Sequence, residues 1–130
     1  MAMNLIEQFA RHIEFLGFGT VADSTTAGDI FWGWMPDSPD ACVTVFSTDS
    51  AYAGSDSGAR IQMMVRGKSA KAAYERSQAI VEALAEFEGY LAGDGARVSV
   101  TVLNASAGLG SDAKKREMFS SNFRVYYCDT

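Results

Sequence analysis

Histidine, cysteine and proline are all scarce in this 130-residue chain, which has one histidine, two cysteines and two prolines. The lone His12 and the distant Cys42 and Cys128 show no CxxC or other ligand spacing, so the sequence encodes no recognisable zinc site. Two separated cysteines do not make a disulfide framework, and free thiols in a reducing compartment are the expectation. Basic residues are also few: 11 Lys and Arg stand against 16 Asp and Glu, a formal charge of −5. Proteins that hold nucleic acid by neutralising phosphates carry a basic face, so this balance argues against general nucleic-acid binding. No apolar run approaches the ~20 residues that span a bilayer. The opening MAMNLIEQFARHIEF carries charges early, unlike a signal peptide. The expectation is a protein synthesised in, and retained by, a cytoplasm.

The composition that remains is that of an ordinary globular protein, 48% hydrophobic and 21% charged. Its length suits one domain over 1–130, large enough to hold its shape without a metal or a disulfide. Leu5, Ile6, Phe9, Ile13 and Leu16 recur at helical spacing, with Asn4 as N-cap and Gly17 and Gly19 at the end. The aromatic run Ile30–Trp34 reads as a short strand closed by the turn Pro36-Asp37-Ser38-Pro39-Asp40. Residues 41–46 and 60–66 are β-branched or alternating and read as strands. The longest helix is expected to open at Ser69 and run through Phe87, ended by Gly89. Val98, Val100 and Val102 alternate as a strand, and residues 119–127 alternate as the last one. Two stretches rich in small and polar residues, 47–59 and 104–117, are expected to be flexible hairpin loops. The fold class that follows is α+β: an antiparallel or mixed sheet of four to five strands with two amphipathic helices on one face.

Candidate chemistry is thin. A Cys–His pair could be assembled in space from His12 with Cys42 or Cys128, but no local motif supports one. Asp37 and Asp40 bracket prolines and read as a rigid turn more readily than as an acid/base pair. Gly17-Phe18-Gly19 and Gly108-Leu109-Gly110 lack the context of a phosphate loop. Lys114, Lys115 and Arg116 form the one basic run, either a solvated loop tip or a contact for an acidic partner. Of Trp32 and Trp34, one is expected in the core and the other as an exposed anchor.

The order of MNLIEQFARHIEFLGFG, GDIFWGWMPDSPDACVTVF, IQMMVRGKSAKAAYERSQAIVEAL and LGSDAKKREMFSSNFRVYY resembles the bacteriophage minor capsid or tail terminator family of long-tailed phages. The similarity runs from about Leu5 to Tyr127. Its most specific pieces are Pro36–Asp40, Val65-Arg66-Gly67 with Ala73-Tyr74, and Asn122-Phe123-Arg124-Val125-Tyr126. The chain departs from the family pattern in both loops. Ser50 and Ala51 replace a glycine pair, and Ser111 and Lys115 stand where arginine and glycine are expected.

The resemblance implies a structural protein of the virion, at the head-tail junction, with no catalytic, cofactor or metal site. Copies would close as a ring, typically sixfold, on the tail tube, stop its growth and present a surface to the head-tail connector protein. Its partners would be itself, the tail-tube protein and the connector, with no membrane. DNA would pass through unbound, past walls to which Asp37, Asp40, Asp49 and Asp56 could contribute. Candidate partner-interface residues are Trp34, Asp49, Tyr52, Asp56, Asp112, Lys114, Lys115 and Arg116. Two other readings stay open: another phage neck or tube subunit, and a small ligand-binding α+β domain.

Overall fold

The structure, a computed structural model, describes residues 4–47 and 58–128. Asp49, Tyr52 and Asp56, and nearly all of the 47–59 stretch, lie outside the described residues. Helix α1 (Leu5–Phe15) begins where the Asn4 side chain accepts the Glu7 N–H at 2.7 Å. It ends where Gly17, at φ +93°, lets the Gly17 and Phe18 N–H groups turn back to the Glu14 and Ile13 carbonyls. Strands β1 (Ile30–Trp32), β2 (Cys42–Ser47) and β3 (Ala59–Gly67) follow, then α2 (Ala70–Leu84), capped by Ser69. The chain closes with β4 (Glu88–Tyr90), a 3-10 turn at Leu91–Gly93, β5 (Arg97–Ser111) and β6 (Glu117–Tyr127).

The six strands form one curled sheet in the order β1-β2-β3-β6-β5-β4. Only β1 and β2 run parallel, so the sheet is mixed. Ile61 lies opposite Phe123 and Val65 opposite Phe119, which puts 61, 63, 65 and 67 on the same face as 119, 121 and 123. Both helices sit on that inner face. Phe9 of α1 meets Phe123 with ring centroids 5.4 Å apart, and Tyr74 of α2 meets Phe119 at 5.6 Å. Gly67 lets α2 approach closely, since a Cβ there would stand 3.2 Å from that of Ala73. The core is continuous from Leu5, Phe9 and Ile13 through Val43, Ile61, Met63 and Val65 to Ile80, Leu84, Val98 and Phe123.

Three expectations are corrected. Among the described residues the sheet has six strands rather than four or five, because Glu88–Tyr90 pairs with Arg97–Ser99; three residues are too few to show a period. Helix α2 stops at Leu84 rather than Phe87, since Ala85 is extended and Glu86 is left-handed at φ +57°. That break turns the Phe87 ring back against His12, 4.5 Å away. Residues 104–111 are strand, not loop: β5 pairs with β6 as far as Ser111 and Glu117. Register shifts near Asn104, Ala107 and Gly110 absorb the small residues that made this stretch look like a loop.

Candidate functional site

The residues that could suggest catalysis are kept apart or occupied. His12 is buried, and its Nδ1 accepts the Ala92 N–H at 2.8 Å. Burial lowers its pKa, so the ring is neutral at pH 7. Cys42 is buried in β2 and desolvation raises its thiol pKa, which opposes the thiolate a nucleophile needs. Cys128 is a free, half-buried thiol beyond β6. No cluster of three or more His, Cys, Asp or Glu residues able to hold a metal occurs among the described residues. An open cleft of about 560 Å³ lies between Gln8, Arg11, Leu91 and Ala96, but Gln8 already accepts the Ala96 N–H there.

The basic run and the proline turn come together across the sequence. Arg116 is 5% exposed and its Nε donates to Asp112 at 2.8 Å. The same guanidinium reaches the Asp37 carboxylate at 3.2 Å, the Asp40 carboxylate at 3.4 Å, and the Asp37 carbonyl. Lys114 pairs with Asp37, and Lys68 with Asp40 at 3.3 Å. From β3, Arg66 donates to the Pro39 carbonyl at 2.7 Å and the Asp40 carbonyl at 3.1 Å. The Lys114 hydrogen bond, then its charge and that of Arg116, lower the Asp37 pKa. For Asp112 the main cause is the backbone N–H of Arg116. The chemistry of this cluster is structural: charged forks bind the tip of the β5–β6 hairpin to the turn between β1 and β2.

Of the predicted interface residues, the structure therefore turns Arg116 inward and gives Asp112 and Lys114 partners within the chain. Lys115 stays exposed at the hairpin tip, in a left-handed backbone at φ +61°. Trp34 is 65% exposed, whereas Trp32 is half-buried and packs against the core rather than within it.

Sequence reasoning missed a second polar site at the other end of the outer sheet face. Arg60 of β3 stands directly opposite Arg124 of β6. Beside them Asn104 and Asn122 share a side-chain hydrogen bond of 2.8 Å. Arg60, Leu103, Asn104 and Asn122 line an open cleft of about 390 Å³. Alternation places Arg60, Asn122 and Arg124 outward, whereas Asn104 reaches that face through the register shift between Val102 and Asn104, which only the sheet reveals.

The family model described as bacteriophage tail terminator protein matches residues 13–127. This chain belongs to the bacteriophage tail terminator protein family. No curated protein matches it. The family is structural and non-enzymatic. As a tail terminator family member the chain is a phage tail component. No helix among the described residues is long and apolar enough to cross a membrane.

Proposed function

We propose that this protein caps the phage tail tube as a ring, ends tube polymerisation and forms the surface to which the head is joined. Family membership over residues 13–127 carries the reading. The architecture supports it, because a closed ring needs two different complementary patches on each copy. The two edges of the sheet differ from one another. One edge is the short β1, bridged by Val21 and followed by the exposed Trp34. The other is β5, where β4 covers only Arg97–Ser99 and no strand lies beyond Thr101–Ser111 among the described residues.

The partners under this reading are further copies in a sixfold ring, the tail-tube protein and the head-tail connector, with DNA passing through. Trp34, Asp112, Lys114 and Lys115 remain interface candidates, with Asp49, Tyr52 and Asp56. Lys115→Glu is expected to weaken docking on tube ends, most at low salt. The deciding experiment removes the gene from its phage. Tubes longer than the regular length, corrected by the wild-type protein supplied in trans, are expected in electron micrographs. Tails of normal length without the protein would overturn the proposal.

A further inference from the structure

We propose that the tip of the β5–β6 hairpin docks on a second copy of this chain, with Leu109 in the cleft beside α1 and Lys115 against Asp94. The inference rests on the ring reading and names two patches through which neighbouring copies join.

The cleft sets the chemistry of its occupant. It holds about 560 Å³, and its lining includes Gln8, Arg11, Ala92, Asp94 and Ala96. Its polar groups are engaged within the chain. Gln8 Oε1 accepts the Ala96 N–H at 2.7 Å, the Leu91 N–H donates to the Ala96 carbonyl at 3.0 Å, and the Gly95 N–H donates to the Leu91 carbonyl at 2.7 Å. Arg11 is shared among Glu7, Glu14 and Asp23. What remains for a partner is the apolar surface of Ala92 and Ala96 and the exposed Asp94 carboxylate, which makes no ion pair among the described residues. Phe15, 62% exposed, extends this apolar surface where its ring packs on Gly93, at 3.3 Å from where a Cβ would stand. An apolar side chain with a cation beside it satisfies both features.

The hairpin tip carries that pair. Leu109 is 52% exposed, and its neighbours Gly108 and Gly110 have no side chains to cover it. Lys115 is exposed and, unlike Lys114 and Arg116, makes no ion pair among the described residues. Buried Arg116 ties the tip to Asp37 and Asp40 of the turn between β1 and β2. The tip is therefore held in shape before it meets a partner, which lowers the ordering cost of association.

The two patches lie at opposite ends of β5. Asp94 and Ala96 come just before Arg97, its first residue, and Leu109 and Lys115 flank Ser111, its last. Each copy thus presents a knob at one end and a cleft at the other, the two unlike surfaces that a head-to-tail contact requires. A second copy is the occupant these features select, because one chain supplies both shapes and both signs of charge.

The test separates a neighbouring copy from the tube as the partner of the tip. Leu109→Asp, Lys115→Glu, Asp94→Lys and the double variant Asp94→Lys/Lys115→Glu are purified and checked for folding by circular dichroism. Each is added to tubes from phage lacking the gene, and capped ends are counted by negative-stain microscopy. Every single variant is expected to cap about tenfold less than wild type. The double variant is expected to recover capping, because opposite charges meet again at every contact. Lys71→Glu, the same charge change on an exposed position of α2, is expected to cap like wild type. If Leu109→Asp does not fold, Leu109→Ser takes its place with the same expectation. Wild-type-like capping by any of the three single variants, a double variant no better than Lys115→Glu, or loss by Lys71→Glu would overturn the inference and leave the ring reading standing. Failure of the wild-type protein to cap tubes would instead overturn the ring reading itself.

Discussion

Arg116 is the side chain on which the outer end of the sheet depends, because it touches Asp112 of its own hairpin tip and two carboxylates, Asp37 and Asp40, of one distant turn. Arg116→Ala leaves Asp37, Asp40 and Asp112 without their shared cation and should lower the unfolding midpoint more than Lys114→Ala. Arg116→Lys should not restore it, because an ammonium lacks the planar fork. The cluster also has a pH signature. Asp37 and Asp112 titrate below their ordinary value of 3.8, so their contribution is complete above that value and lost as pH falls through the lower folded pKa values. Asp112→Asn should flatten this acid limb in urea titrations. His12 acts in a higher window. Its folded pKa lies below 6.5, so the unfolded chain takes up the proton first and stability declines as pH falls below 6.5. His12→Ala should remove that decline and, wherever it folds, still support tail assembly. Loss of assembly by a folded His12→Ala variant would revive a chemical role. Lys115 holds a left-handed conformation that favours glycine, so Lys115→Gly should stabilise by less than about 1 kcal/mol, read from the denaturant midpoint.

The β5–β6 hairpin gathers most of what is unusual at the scale of elements. Its inner half is buried between the helices and the rest of the sheet, while β5 beyond Val102 has β6 on one side and the register shifts within it. Ser106 fixes this half to α2: its Oγ lies 2.8 Å from that of Ser77, and its N–H donates to Ser121 Oγ at 2.8 Å. Amide hydrogen exchange should therefore be slow in 61–66 and 119–125, intermediate in 97–102 and faster in 107–111. Protection of 107–111 equal to that of β3 would mean that the free edge of β5 is already covered in the isolated protein.

At the scale of the molecule, charge and assembly are linked. In the proposed ring, six copies at −5 each would carry 6 × −5 = −30 formal charges around a DNA conduit. Walls of that sign disfavour the phosphate contacts that release counterions and would hold DNA in place. Not every acid contributes equally, since Asp37, Asp40 and Asp112 are engaged by Arg116, Lys114 and Lys68 within the chain. The isolated protein should not bind duplex DNA at physiological salt, and tight binding in a gel-shift assay would end the idea of a repulsive conduit. Free protein should sediment as a monomer at micromolar concentration and assemble on tube ends. A tight, concentration-independent dimer would contradict that order of events.

The sequence by itself determined the secondary elements with strong periods and the class of protein. Helix α1 was legible from Leu5, Phe9 and Ile13 with its Asn4 cap, β3 and β6 from their alternation, and the family from motifs spread along the chain. Those signals are local, or are local pieces in a fixed order. The tertiary structure decided the rest. Residues 104–111 became strand because β6 supplied hydrogen-bond partners that their own composition did not demand, and α2 ended early so that Phe87 could enclose His12. Arg116 looked like part of a solvated basic run until Asp37 and Asp40, more than 70 positions away, were folded against it. Arg60 and Arg124 became neighbours through register alone, and register belongs to the sheet rather than to either strand.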